Sequence, residues 1–263
     1  MCSSDLTGAL IRPSLPSSIY WGQWAPELGQ FDTWQGTLLD ATVNSHPLPK
    51  GRTAASGALR SLLLQDSVMI EAKIVTGPAP RHFAPIASVF DSEQREIFVL
   101  GQRRNALAFG IRTGLRAMEL GNMYVRMDAF TLRQPGDTML VSGGVVRGAW
   151  VLRASHGGTV SETHVAMSPA LMWSALFPFF FVLGPATPLI SAAWLGATIA
   201  PTGYFAAHGE HPTWRLGIAV LVAVLGYTVA ALAPGLPVPS LVEYTGTVLG
   251  LAGGWFVGRR VYS

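Results

Sequence analysis

The chain has 263 residues, enough for one large domain or two ordinary ones and for a substantial buried core. Hydrophobic residues make up 49% and charged residues 13%, roughly half the charged share of an average soluble domain, which excludes a disordered or nucleic-acid-wrapping chain. Of the 33 charges, 28 lie in the first 166 residues and five in the last 97, so the two parts are suited to different solvents.

The net charge of +3 comes from 18 basic and 15 acidic residues. The only basic doublet of note, Arg103 and Arg104, reads as a solvated turn, and no nucleic-acid partner is implied. Cys2 is the one cysteine, so no intramolecular disulfide exists. Met1 to Leu6 (MCSSDL) fit no cap, strand or signal pattern; they read as translated linker sequence, with residues 1–16 outside the folded part and the natural chain extending upstream.

From Phe31 onward, short apolar runs recur every ten to twelve residues between turn residues, the spacing of an all-β sandwich. Phe31 to Leu39 and Ala41 to Val43 are predicted strands, followed by a turn at Asn44 and Ser45. Ser67 to Thr76 alternates, with Val68, Ile70, Ala72 and Ile74 on one face and Ser67, Glu71 and Lys73 on the other. Ala84 to Phe90 and Glu96 to Leu100 form a predicted hairpin around a solvated tip of Asp91, Glu93 and Glu96. Ala106 to Arg112, Met123 to Phe130, Thr138 to Val141 and Trp150 to Ala154 follow, with turns at Pro135 to Asp137 and at Ser142, Gly143 and Gly144. Eight or nine strands are expected.

The stretches GTLLDATVNSHPLP, VMIEAKIVTG, IASVFDSEQREIFVLGQ, LAFGIRT and GAWVLRASHGG give residues 30 to 165 a layout that resembles a concanavalin-A-like or laminin-G-like jelly roll. The resemblance implies a carbohydrate- or protein-binding domain and, in some branches, glycoside hydrolysis. Hydrolysis needs paired carboxylates about 5 Å apart, and the best strand offers Glu71 with Lys73 two residues on. HExxH, CxxC, GxSxG and Walker patterns are lacking, so no catalytic residue, metal or cofactor is assigned. Trp21, Trp24 and Trp34 are the candidate ligand-binding residues, since ring faces serve as stacking platforms; the alternative is packing or a membrane-interface role.

The remainder reads as membrane. Four predicted spans cover about 165–184, 187–207, 216–232 and 241–258, the first long enough at 1.5 Å per residue for about 30 Å of hydrocarbon, with three spans as the fallback. Leu216 to Leu232 is apolar all round, and Gly246, Gly250, Gly253 and Gly254 are expected to let the last helix approach its neighbours closely. Glu243 is the one acid within a span, either at the headgroup level or functional. The fold class is therefore an antiparallel jelly-roll β-sandwich (17–164) followed by a transmembrane helical domain (165–263).

Four short hydrophobic helices ending in PSLVEYTGTVLGLAGGWFVGRR, behind a laminin-G-like sandwich, resemble the VanZ-like membrane proteins that carry such a fused domain. With four spans, Arg215, Arg259 and Arg260 fall on the sandwich side, and the positive-inside rule makes that side cytoplasmic; with three spans the charges separate. The family resemblance places the sandwich outside, and the reading leans that way. Its partners are membrane lipid and an envelope glycan or protein. The rival expectations are a membrane enzyme acting on lipid-linked envelope sugars between Glu243, Tyr204 and the His208 to His211 loop, and a purely structural anchor.

Overall fold

A computed structural model describes residues 19–22, 31–48, 53–54, 57–65, 67–92, 96–111, 123–131, 133–176, 181–208, 210–233 and 236–261. The predicted linker segment 1–16 lies outside these, as do Trp24 and Glu93. The chain divides into a strand-built unit, residues 3–166 with 177–184, and a helical unit, 167–176 with 185–263.

The strand-built unit holds two sheets. Its strands are β1 (Ile19–Gly22), β2 (Thr37–Val43), β3 (His46–Pro47), β4 (Thr53–Ala54), β5 (Ser67–Val75), β6 (Phe83–Asp91), β7 (Glu96–Arg103), β8 (Ala106–Ile111), β9 (Met123–Asp128), β10 (Thr138–Val146), β11 (Ala149–His156), β12 (Thr159–Ala166) and β13 (Phe181–Leu183), with a short helix α1 (Gly57–Leu63). Sheet I has the order β13-β9-β8-β7-β6-β1-β4 and sheet II the order β12-β11-β10-β5-β2-β3. All pairings are antiparallel except β13 on β9, which is parallel.

The sheets pack face to face through apolar side chains, alternate ones along β5 and nearly continuous runs along β6, β7 and β8. Val68, Ile70, Ala72 and Ile74 of β5 are buried as their alternation requires. Phe109 of β8 meets Trp150 of β11 edge to face at 6.1 Å, and both are fully buried. Tight two-residue turns fix the registers. Asn44 and Ser45 (φ 46° and 65°) join β2 to β3, Arg147 and Gly148 (48° and 76°) join β10 to β11, and Gly157 and Gly158 (55° and 80°) join β11 to β12. Left-handed backbone at both central positions matches the twist of the flanking strands.

Several expectations are corrected. Ser142, Gly143 and Gly144 are not a turn but the middle of β10, where a Cβ on Gly143 would strike Phe109 and Leu100 of the facing sheet. The reversal comes four residues later, at Arg147 and Gly148. The first predicted span, 165–184, is no membrane helix: β12 runs to Ala166, a 3-10 helix occupies Pro169–Leu176, and Phe181–Leu183 adds to sheet I. Apolar length alone misled here, because Pro169 begins a 3-10 helix and a free sheet edge accepts the Phe-Val-Leu segment.

Three long helices follow: α2 (Thr187–Ala206), α3 (Pro212–Leu232) and α4 (Leu241–Val261). Among the described residues two of them, α2 and α3, are long and apolar enough to cross a membrane, not the four expected. Pro201 sits inside α2 without ending it. Helices α2 and α4 run parallel in close contact: Gly246 packs on Ala192, Gly250 on Gly196, Gly254 on Ala200 and Gly258 on Tyr204. Gly253, predicted with them, has nothing near its missing Cβ, because it faces off the seam. Helix α3 connects the far end of this pair back to its start. Arg215 near its beginning donates to the His208 carbonyl, and Thr228 near its end shares a 2.6 Å hydroxyl hydrogen bond with Tyr244.

Candidate functional sites

The tryptophans named from sequence lie inside. By register Trp21 of β1 stands beside Val89 on the inner side of sheet I and is 1% exposed. Trp34 is 6% exposed and its Nε1 donates to Gln102 Oε1 at 3.0 Å, while Gln102 Nε2 donates to the Arg104 carbonyl at 2.8 Å. Neither ring offers an open face. Both rings fit the packing alternative, and the buried Trp34 finds a partner for its N–H. Asp91 and Glu96, expected at a solvated tip, are both buried, at 1% and 8% exposure.

The aromatic cluster that sequence reading missed lies on the outer side of sheet I. Phe83 contacts Phe31 at 5.5 Å and Tyr124 at 5.7 Å between ring centres. Two glycines make this geometry: a Cβ at Gly101 would strike the Phe83 ring and one at Gly110 the Tyr124 ring. Each ring therefore lies flat across a neighbouring strand, toward the other. A glycine beneath an aromatic on an adjacent strand is the signal by which such pairs are found.

The open polar surface is the outer side of sheet II. Register places Thr42, Glu71, Ser142, Arg153 and Glu162 in one cross-strand row, and Asp40, Lys73, Leu140, Ser155 and Val160 in the next. Arg153 grips Glu162 through Nη2 at 2.9 Å and Nε at 3.1 Å, and His164 closes on the other carboxylate oxygen. The first row thus carries a polar side chain on each of five strands, with Ser142 buried among them, whereas Leu140 and Val160 interrupt the second. The geometry suits hydrogen bonding to a polar chain laid across the strands. Among the described residues no group of three metal-ligating side chains forms.

In the helical unit Glu243 is 5% exposed. Its Oε2 accepts from the Ser240 backbone N–H at 2.6 Å, and its own N–H points back to Ser240 Oγ at 3.4 Å. This is the reciprocal capping box of a helix start, written in the sequence as Ser-x-x-Glu. Glu243 Oε1 also accepts from Ser168 Oγ at 3.2 Å, which ties the 3-10 helix to α4, and Trp173 Nε1 donates to the fully buried Ser191 Oγ at 2.9 Å. Tyr204 lies at the opposite end of the unit, with its carbonyl against Gly258 and its ring 5.1 Å from His208. Fifteen residues of α4 separate Glu243 from Gly258, about 22 Å of helix. The structure does not bring Glu243, Tyr204 and the 208–211 loop together.

Comparison with family models, with characterised proteins and with solved structures finds no match to this chain.

Proposed function

We propose that the chain is a multi-pass membrane protein that displays a non-catalytic jelly-roll sandwich on the outer side of a cell membrane, where the open face of sheet II binds an envelope polysaccharide or protein. The observation that carries the membrane part is the nakedness of α3, whose most apolar stretch is only 6% buried. Ile218, Leu221, Val222, Leu225, Val229 and Leu232 all project outward. Leaving six such side chains in water forgoes on the order of 5–10 kcal/mol, which hydrocarbon restores. Helix α4 joins as a third span through its glycine seam, and a laminin-G-like sandwich ahead of apolar helices is the arrangement of the VanZ-like fusions it resembles.

Three spans also speak to orientation. The seam makes α2, α3 and α4 an up-down-up set, so the 208–215 connection and the end of α4 share one side. Contrary to the expectation that three spans separate these charges, Arg215, Arg259 and Arg260 gather there, whereas residues 233–240 carry no Lys or Arg. The positive-inside bias supports a cytoplasmic arginine side and an outer position for everything that precedes α2.

The test uses the full chain with Cys2 replaced by Ser and a single cysteine at Val160→Cys or Glu210→Cys. In intact cells an impermeant maleimide labels the first, and the second only after permeabilisation. The opposite pattern overturns the orientation, and recovery of the protein in the soluble fraction overturns the membrane assignment. Detergent-solubilised protein is then screened against envelope polysaccharides and envelope proteins, with Arg153→Ala as the weakened control. Silence at millimolar ligand leaves the structural anchor as the surviving reading.

A further inference from the structure

Resting on the three-span membrane reading, we propose that the arginine-bearing end of the helical unit is a binding site for the phosphate headgroups of anionic phospholipid. All three helices contribute to it. The bend after α2 supplies His208, the start of α3 supplies Trp214 and Arg215, and the last turn of α4 supplies Arg259 and Arg260. The packing of Gly258 on Tyr204 and Ala207, with the bond from Arg215 to the His208 carbonyl, holds these elements at one end.

The chemistry fits a phosphate rather than a carboxylate-bearing protein surface. Three exposed guanidiniums face a single carboxylate, Glu210, among the described residues of that end. Arg260 lies 4.3 Å over the Phe256 ring and Arg259 5.8 Å from the Trp255 ring centre. An arginine resting on a ring is held in place and still offers the N–H edge of its planar fork, which matches phosphate oxygens. Arg215 spends one N–H of five on the His208 carbonyl and is thereby aimed.

The depth is right for a headgroup. Arg259 stands 18 positions beyond Leu241, about 27 Å along α4, close to the thickness of the hydrocarbon core. Beside the cations, Trp214 (70% exposed) is an amphipathic ring of the kind favoured at a membrane interface, and Phe205 (69%) and Phe256 (50%) add exposed apolar rings. The basic cluster is continuous with apolar helix faces that already need acyl chains, so one amphiphile satisfies both surfaces. Among biological membranes the cytoplasmic leaflet is where anionic lipid attracts juxtamembrane arginines.

The experiment reconstitutes the full chain into phosphatidylcholine vesicles, into vesicles containing phosphatidylglycerol, and into those same phosphatidylglycerol-containing vesicles supplied with inorganic phosphate. Insertion is followed by protease protection, and lipid contact by energy transfer from tryptophan to labelled lipid. Phosphatidylglycerol is expected to be enriched around the protein, with roughly fivefold loss of that preference per arginine removed in Arg215→Gln, Arg259→Gln and Arg260→Gln, and retention in the lysine versions. Insertion into every vesicle without preference for phosphatidylglycerol overturns the proposal while leaving the membrane reading intact. Inorganic phosphate abolishing the preference at equal concentration assigns the site to a soluble anion and overturns the lipid source. Failure to insert into any vesicle overturns the membrane reading itself.

Discussion

Gly250→Ala tests the seam between α2 and α4 with the smallest available perturbation. The added methyl carbon would sit 2.5 Å from the Gly196 Cα and 2.7 Å from its carbonyl carbon, whereas carbon atoms in contact prefer about 3.5–4.0 Å. The helices must therefore part by about 1 Å. A gap of that size forfeits a quarter to a half of each contact energy of about 0.1–0.2 kcal/mol, and over some 50 atom pairs along the seam the loss is about 1–5 kcal/mol. Gly253→Ala is the internal control. Its Cβ meets nothing within 4 Å, and alanine is the better helix former by up to about 1 kcal/mol, so that variant should be neutral or more stable. The assay is loss of far-ultraviolet helical signal in detergent micelles with rising denaturing surfactant. If Gly250→Ala and Gly253→Ala unfold together, the close backbone approach derived for residues 246–258 is wrong.

Two further outcomes follow from single contacts. Ser240→Ala or Glu243→Ala removes the capping box at the start of α4 and should cost about 1 kcal/mol of helical-unit stability in the same assay, an effect that Glu243→Gln, which keeps an acceptor, largely avoids. Trp34→Phe deletes the Nε1 donor and strands the buried Gln102 oxygen; a loss of about 1–3 kcal/mol should appear in thermal unfolding of the strand-built unit followed by near-ultraviolet circular dichroism. An unchanged midpoint would mean that Gln102 finds another donor.

The sequence was most readable where a local rule and the tertiary fold agree. Alternation along Ser67 to Thr76 described β5 and its buried face, and Asn44 with Ser45 announced a turn that both residues complete with left-handed backbone. Reading failed where a local signal had two meanings. Ser142-Gly143-Gly144 looks like a turn by composition, yet the glycine is there because Phe109 and Leu100 fill the space of a side chain. The uncharged run after Val165 looks like a membrane span by length, yet partners elsewhere in the chain divide it among a strand, a 3-10 helix and a sheet edge. His-Gly-Gly-Thr at 156–159 is a hairpin turn that went unread because β12 overlaps the start of that run.

The same balance holds for the candidate sites. Tryptophans near the start of the chain left an exposed platform and packing both open, because burial is decided by which strand a residue joins, and β1 inserts between β6 and β4. Glu243 looked like an unusual intramembrane acid. Its partner was three residues upstream in plain view, and only the geometry at Ser240 distinguishes a helix cap from a reactive group. The polar rows of sheet II needed the pairing of five strands, each fixed by contacts distant in sequence, before any row existed.

The tightest interface in the helical unit joins its first and last helices, with α3 between them in the chain. During synthesis, then, α2 emerges and waits for about fifty residues before its groove-filling mate exists. A nascent polypeptide stalled near Leu232 holds two apolar rods with little mutual grip, a species that proteolytic surveillance can recognise. Completion of the bundle is thus timed by release of α4, and premature stop codons before Leu241 should lower the amount of protein in the cell.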